Sequence, residues 1–136
     1  MSKPKRILVI DDSAVMLERI KHVLGAQGYD VLATTQPVGN ARHLPTCDLV
    51  LIDYHMPGLD GSSVVASLRS LAHSMKGACP LYVYTSDPKV ASNCTQLGFD
   101  GAFNCKGDDR ALVRQVAALF RTLAIRANRV AKAPGR

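Results

Sequence analysis

Leu49-Val50-Leu51-Ile52-Asp53, followed by Tyr54-His55-Met56-Pro57-Gly58-Leu59-Asp60-Gly61, is the stretch that decides how this chain is read. Four apolar residues in a row fit a short strand buried on both faces, as in a parallel sheet. The run ends on an acid, not on a turn residue. Ile7-Leu8-Val9-Ile10 repeats the arrangement and ends on Asp11-Asp12. Carboxylates at the ends of buried strands are costly unless a cation or a reaction needs them.

Working outward, the chain alternates strand and helix signals. Arg6–Ile10 reads as a first strand. Ser13 then opens a helix with Met16/Leu17, Ile20 and Val23/Leu24 at helical spacing, and Gly28 is its expected stop. Asp30–Thr34 reads as strand two, Asp48–Asp53 as strand three and Pro80–Thr85 as strand four. A helix from Asp60 carries Val64/Val65, Leu68 and Leu71 on one side. Asp87-Pro88 pairs a cap with proline at a first helical position, so a helix is expected from there to Leu97, closed by Gly98. Asp100–Cys105 reads as strand five. Asp108 and Asp109 open a last helix with Leu112, Val116, Leu119, Leu123 and Ala127 on one face. Between strands two and three, Pro37, Gly39, Asn40 and Pro45 leave room for only a turn or two of helix around Val38–Leu44. Pro134-Gly135-Arg136 is expected to fray.

Five strands alternating with helices predict an α/β fold: a parallel sheet covered on both faces, with right-handed crossovers. In such open sheets ligands bind beyond the carboxyl ends of the strands. Asp11, Asp12, Asp53, Thr85 and Lys106 all fall at or just past predicted strand ends. Each has a plainer reading. Ser13 is best read as a cap of the first helix, and Asp12 could be one. Thr85, Ser86 and Asp87 could be a cap cluster, with Asp87 the best cap among them. Lys106 could be a solvated lysine. Asp53 is the hardest to explain away, because Asp60 is better placed to start the next helix.

Composition narrows the class. The 136 residues suit one domain able to bury about two-thirds of its unfolded surface. The residues are 47% hydrophobic but only 5% aromatic, so the core should be aliphatic. No apolar run approaches the roughly 18 residues of a membrane span, and the basic start (Lys3, Lys5, Arg6) lacks the apolar stretch of a signal peptide. A cytoplasmic protein is therefore expected. Cys47, Cys79, Cys94 and Cys105 show neither a C-x-x-C pair nor zinc spacing, which predicts free thiols. The net charge of +6 is uneven: residues 121–136 hold five basic residues (Arg121, Arg126, Arg129, Lys132, Arg136) and no acid. The other 120 residues carry twelve basic and eleven acidic side chains, so the pI does not argue for nucleic-acid binding by the whole domain.

The chemistry follows from residue types. Three ionised carboxylates would repel one another, and a hard divalent cation removes that repulsion. Magnesium takes oxygen ligands and is usually held by one or two carboxylates with waters and phosphate oxygens. With one nearby histidine and no thiolate, zinc is disfavoured. A carboxylate beside magnesium can attack a phosphoryl group and form an aspartyl phosphate. Lys106 would supply positive charge, and Thr85 a hydroxyl for a phosphoryl oxygen.

Together these residues resemble a known family. Asp11-Asp12 after strand one, Asp53-Tyr-His-Met-Pro-Gly-Leu-Asp-Gly after strand three, Thr85-Ser86 after strand four and Lys106 after strand five are similar to the CheY-like receiver domain of bacterial two-component response regulators. Any one motif is weak, but four in order at the expected strand ends are specific, and the resemblance covers roughly residues 5–125. It implies a flavodoxin-like three-layer fold with strand order 2-1-3-4-5. It implies that Asp53 accepts phosphate from a histidine kinase or phosphotransfer protein. Magnesium would be held by Asp11, Asp12, Asp53 and the backbone carbonyl of His55. Thr85 and Lys106 would bind the phosphoryl group. Phe103, three residues before Lys106, would be the switch aromatic coupled to Thr85, against the plainer reading of an ordinary core residue. His55 and Asp87, two residues after Asp53 and Thr85, would tune dephosphorylation. Gly107 departs from the family, which usually places proline after the lysine.

The expectation is a receiver domain over residues 1–125 with a basic extension over 126–136. It would be a single-domain response regulator with an unknown downstream protein target, or a receiver excised from a larger hybrid kinase or regulator, or a relay intermediate. It would promote only its own phosphorylation and dephosphorylation, without direct DNA or membrane binding, as a monomer or weak dimer. Competing readings are an aspartyl phosphatase, which would need D-x-D-x-T after strand one, and a flavin module, which two acids at that loop disfavour. A third is binding of nucleic acid, or another acidic partner, by the basic tail, although the tail's apolar face suggests that most of it continues the last helix with its arginines solvated.

Overall fold

The computed structural model of the chain describes residues 3–36, 46–53, 55–56, 59–60, 66 and 79–131. The helix expected around Val38–Leu44 and the Pro134-Gly135-Arg136 end lie outside the described residues, and of the helix expected from Asp60 only Ala66, which is helical, is described beyond Asp60 itself, which lies in a short strand.

Five parallel strands form the main sheet: β1 (Arg6–Ile10), β2 (Asp30–Thr34), β3 (Leu49–Asp53), β6 (Leu81–Tyr84) and β7 (Gly101–Phe103). Their spatial order is β2-β1-β3-β6-β7, which is 2-1-3-4-5 counted along this sheet alone. Two two-residue strands, β4 (His55–Met56) and β5 (Leu59–Asp60), pair antiparallel beside it. That hairpin was not expected. Its sequence carries Pro57-Gly58 between the strands, a turn-forming pair.

β3 is buried at all five positions and β1 at every position after Arg6. Alternation then sorts their side chains. Ile7, Val9, Leu49, Leu51 and Tyr84 face α1 (Ala14–Gly25) and α3 (Asp109–Ala131). Leu8, Ile10, Val50, Ile52, Leu81 and Val83 face the other way, toward Phe99 and Val90 of α2 (Pro88–Ser92). The fold is thus a sheet between two helical layers.

Ser13 caps α1, its Oγ accepting from the N–H of Met16 at 3.2 Å. Leu17, Ile20 and Leu24 are the buried stripe, with Met16 and Val23 beside it. Gly28, at φ +93°, takes the left-handed conformation that turns the chain into β2.

The fourth-quarter elements are shorter than expected. α2 stops at Ser92, not near Leu97, and turns fill the interval to Gly98, whose φ is +100°. Ser92 Oγ and Asn93 Nδ2 donate to the carbonyls of Pro88 and Lys89, so short polar side chains compete for the helix's own acceptors. β7 covers only Gly101–Phe103, not Asp100–Cys105. Asp100 uses its carboxylate to accept from the N–H of Leu81 at 2.8 Å, ending regular pairing on that side. Past Phe103 the sheet's last partner is the N–H of Thr85, donating to the Phe103 carbonyl at 3.1 Å.

Asp108 caps α3 through Oδ1, which accepts from Ala111 N–H at 3.0 Å, and Asp109 sits in the first turn. α3 then runs unbroken to Ala131, so residues 126–131 continue the helix. Leu112 and Val116 are fully buried and Leu119 and Leu123 partly so. From Ala124 to Arg129 every residue is exposed.

Candidate functional site

Asp11, Asp53 and Thr85 are the buried polar or charged residues among those described, at 1%, 4% and 3% exposure. All three stand at the carboxyl ends of adjacent strands, β1, β3 and β6. Asp12, next to Asp11, is exposed. One carboxylate oxygen from each of Asp11, Asp12 and Asp53 lies within 4.8 Å of the others. Lys106, reached three residues past β7, puts its Nζ 3.0 Å from Asp53 Oδ1 and 3.9 Å from Asp11 Oδ2. The five residues expected at one sheet edge are therefore at one sheet edge.

Asp11 is the most constrained of them. Its Oδ1 accepts the N–H of Ser13 at 2.9 Å, while its buried Oδ2 accepts no hydrogen bond among the described residues. Burial pushes its pKa up to about 6. The neighbouring Asp53 charge adds to the rise, and the Ser13 N–H and Lys106 work against it. A buried oxygen without a donor, beside two further carboxylates, fits a hard cation that takes oxygen ligands. Lys106 supplies one positive charge against three acids, leaving room for a divalent ion.

Thr85 Oγ1 accepts the N–H of Asp87 at 3.0 Å. That bond uses a lone pair and not the hydroxyl proton, so Thr85 keeps a donor for an incoming oxygen. Asp87 in turn accepts Lys89 N–H at 2.9 Å and caps α2, with proline in the first turn. Phe103 is 4% exposed, its ring 4.8 Å from that of Tyr82. Its backbone carbonyl, through Thr85 N–H, joins it to the site. The backbone of His55 is in β4, opposite Asp60; its side chain lies outside the described residues.

Two site residues were missed from sequence. The Tyr84 hydroxyl accepts Gly107 N–H at 3.2 Å. Arg19 Nε donates to both oxygens of Asp109 at 2.9 and 3.0 Å, and its Nη2 to the Gly107 carbonyl at 3.2 Å. Together they fix the loop that carries Lys106. Gly107 stands where the resembling family places proline, at φ +93° with its N–H in use. Proline could supply neither that φ nor that donor. Tyr84 could have been found as a polar-tipped aromatic in a buried strand, which needs a partner. Nothing local marks Arg19, since its partners are about 90 residues away.

The thiols stand apart from this chemistry. All four are free, and three are buried. Burial pushes Cys79 up to about 12 and Cys105 to about 11, so both stay protonated and unreactive.

This sheet order, with acids closing β1 and β3, a hydroxyl closing β6 and a lysine past β7, defines an open α/β module with an acidic site at the carboxyl ends of its strands. The chain belongs to the response regulator receiver domain family, whose pattern it matches over residues 7–117. It is 36% identical over 80 residues to the transcriptional regulatory protein AruR of Pseudomonas aeruginosa, an alignment covering 51% of this chain and 31% of that protein. It is 30% identical over 118 residues to the CAI-1 autoinducer sensor kinase/phosphatase CqsS of Vibrio cholerae, covering 84% of this chain and 17% of that one. The chain spans under a third of the length of these relatives. Similar folds include chemotaxis protein CheY4 of Vibrio cholerae (TM-score 0.72, 19% identity, 85% of this chain and 98% of that one). Response regulator TrrA of Thermotoga maritima, solved with Mg(2+)-BeF, is another (TM-score 0.68, 24% identity, 85% and 98%). No described helix is long and apolar enough to cross a membrane.

Proposed function

We propose that Asp53 accepts a phosphoryl group from a histidine kinase or phosphotransfer protein, and that the modification switches a protein-interaction surface. The observation that carries this reading is the buried Asp53 carboxylate, 3.0 Å from Lys106 and close to two further acids. An Asp53 oxygen attacks phosphorus, the P–N bond of the phosphohistidine breaks, and the leaving imidazole keeps the electron pair and takes a proton. Lys106 and the Thr85 hydroxyl stabilise the phosphoryl oxygens as charge moves onto them. Asp11, Asp12, Asp53 and the His55 carbonyl would hold magnesium. That ion, bound, supplies charge neutralisation to the transferring phosphoryl group. TrrA, a protein of the same fold solved with magnesium and a beryllium fluoride, supports that ligand class.

The phosphoryl group adds about two negative charges. Thr85, drawn toward it, would pull on Phe103 through the N–H to carbonyl bond and bias the surface formed by α2, β7 and α3. The protein would promote only its own phosphorylation and dephosphorylation and would act by protein contact, as a cytoplasmic monomer or weak dimer. A second reading is favoured by the match to a sensor kinase over 84% of this chain: a receiver within a hybrid kinase that passes phosphate onward.

Incubation with acetyl phosphate and magnesium tests the first step. Intact mass should rise by one phosphoryl group in wild type and not in Asp53→Ala. An unmodified wild type, or an equally modified variant, ends the proposal. Rapid transfer from the modified protein to a histidine phosphotransfer domain would select the relay reading.

A further inference from the structure

Lys106 is delivered to the acids by a tight turn. Asp108 N–H donates to the Cys105 carbonyl at 2.9 Å, closing a four-residue turn with Lys106 and Gly107 at its centre. Gly107 has φ +93°, and no described residue other than glycine has a positive φ. That is the pattern of a type II turn, which favours glycine at its third position. Both polar groups of Gly107 are taken by side chains from other elements. The Tyr84 hydroxyl of β6 accepts its N–H at 3.2 Å. Arg19 of α1 donates to its carbonyl at 3.2 Å from Nη2, while Nε grips both oxygens of Asp109 at the start of α3.

Tyr84 is placed for more than this one bond. It is buried, stands opposite Asp53 in the β3–β6 register and immediately precedes Thr85. The end of β6 therefore relates Asp53 through the strand pairing, Thr85 through the chain and Lys106 through the Tyr84 hydroxyl. The pair between Arg19 and Asp109 is half-exposed, and exposed ion pairs contribute little to stability. Its geometry instead fixes direction. A flexible lysine stem has to bring Nζ to 3.0 Å from Asp53 Oδ1, and a misplacement of about 1 Å can cost about a hundredfold in rate. We propose that Tyr84 and Arg19 are positioning residues for phosphoryl capture, acting through Gly107 on Lys106. They set the grip on the phosphoryl group and leave the metal-binding acids alone. This rests on Asp53 being the phosphoryl acceptor.

The test follows acetyl phosphate modification of the full chain by intact mass, with magnesium affinity and melting temperature measured alongside. Tyr84→Phe keeps the ring and removes the acceptor for Gly107 N–H. Arg19→Met removes all of the arginine's bonds to Gly107 and Asp109. Each should slow modification about tenfold. Magnesium affinity should stay within about twofold, since the acids are untouched. Arg19→Met changes an exposed side chain and should melt close to wild type, so it decides the matter even if Tyr84→Phe is destabilised. In a Lys106→Met background neither substitution should cost more than about a further twofold, because no lysine is left to position. Wild-type rates in both single variants would overturn the proposal. A full tenfold loss in the Lys106→Met background would also overturn it, by giving both residues a role in the fold at large. So would a parallel loss of magnesium affinity, which would place them with the acids. A wild-type protein that takes no phosphoryl group ends the reading of Asp53 as acceptor, and this proposal with it.

Discussion

β3 and β7 lie two strands apart in one sheet and behave as opposites. β3 is central, five residues long and buried throughout, and it ends on Asp53. β7 is an edge strand of three residues, half-buried at two, and it leads to Lys106 through a loop. The acids are thus fixed by strands that cannot move without opening the core. The lysine that answers them arrives on the thinnest part of the sheet, held by Tyr84 and Arg19. Under the proposed function, the acceptor chemistry would rest on the rigid side and the means of sensing it on the yielding side.

The largest break in that comparison is Lys106→Met, which keeps the length of the side chain and removes its charge. Asp53 would lose a cation at 3.0 Å while its own position on β3 stays unchanged. Phosphorylation by acetyl phosphate should slow about 10²-fold, in the range seen when one stabilising donor is removed from a charge-developing site. A near-normal rate would mean that the metal alone carries the neutralisation.

Protonation tests the rigid side by itself. Asp11 has a folded pKa of about 6 against an ordinary value of 3.8. A raised pKa stabilises the fold fully below the unfolded value, and that contribution is lost as pH rises through the folded one. In EDTA, thermal stability should therefore fall between about pH 4 and pH 6, by at most about 2–3 kcal/mol. Magnesium should restore it at pH 7.5 and do little at pH 5, where Asp11 holds a proton. A flat profile in EDTA would show that Asp11 is ionised at no cost.

The same contrast explains what could be read from sequence. β1 and β3 announce themselves because a strand buried on both faces must be apolar throughout, so an acid at its end is conspicuous. β7 and α2 are set by partners distant in sequence. Asp100 bounds β7 at its start through Leu81, Thr85 is its last partner past Phe103, and Ser92 folds back on Pro88, so the expected strand Asp100–Cys105 and the helix to Leu97 were too long. Asp11, Asp12, Asp53, Thr85 and Lys106 were legible as strand-end residues. The loop that delivers Lys106 was not, because Arg19 reaches it from another element.

Gly101→Ala probes the yielding side. A Cβ there would meet the Tyr82 ring at 2.6 Å from Cε2, so the ring must swing away and leave Phe103. Loss of the ring pair and of its packing should cost about 1–2 kcal/mol. Phosphorylation by acetyl phosphate should persist, since β3 is untouched, while any phosphorylation-induced change in tyrosine fluorescence should shrink. Loss of phosphorylation itself would show that the edge and the centre are not separable.

The smallest expected effect on the fold lies at Asp87, where both sides meet. Its carboxylate caps α2 and its N–H is held by Thr85 Oγ1. Removing a cap costs about 1 kcal/mol locally. Here it caps only five residues, of which Val90 alone is buried, so Asp87→Ala should barely move the global unfolding midpoint. The phosphoryl lifetime is a different quantity. The family resemblance implies that Asp87, two residues past Thr85, and His55, two past Asp53, would tune dephosphorylation of Asp53. Substituting either should change the half-life of the phosphorylated protein severalfold while the melting temperature stays within a few degrees. Unchanged half-lives in both variants would refute that role and leave Asp87 as a helix cap alone. A half-life that shifts in Asp87→Ala but not in a His55 variant would place control of hydrolysis on the yielding side of the sheet.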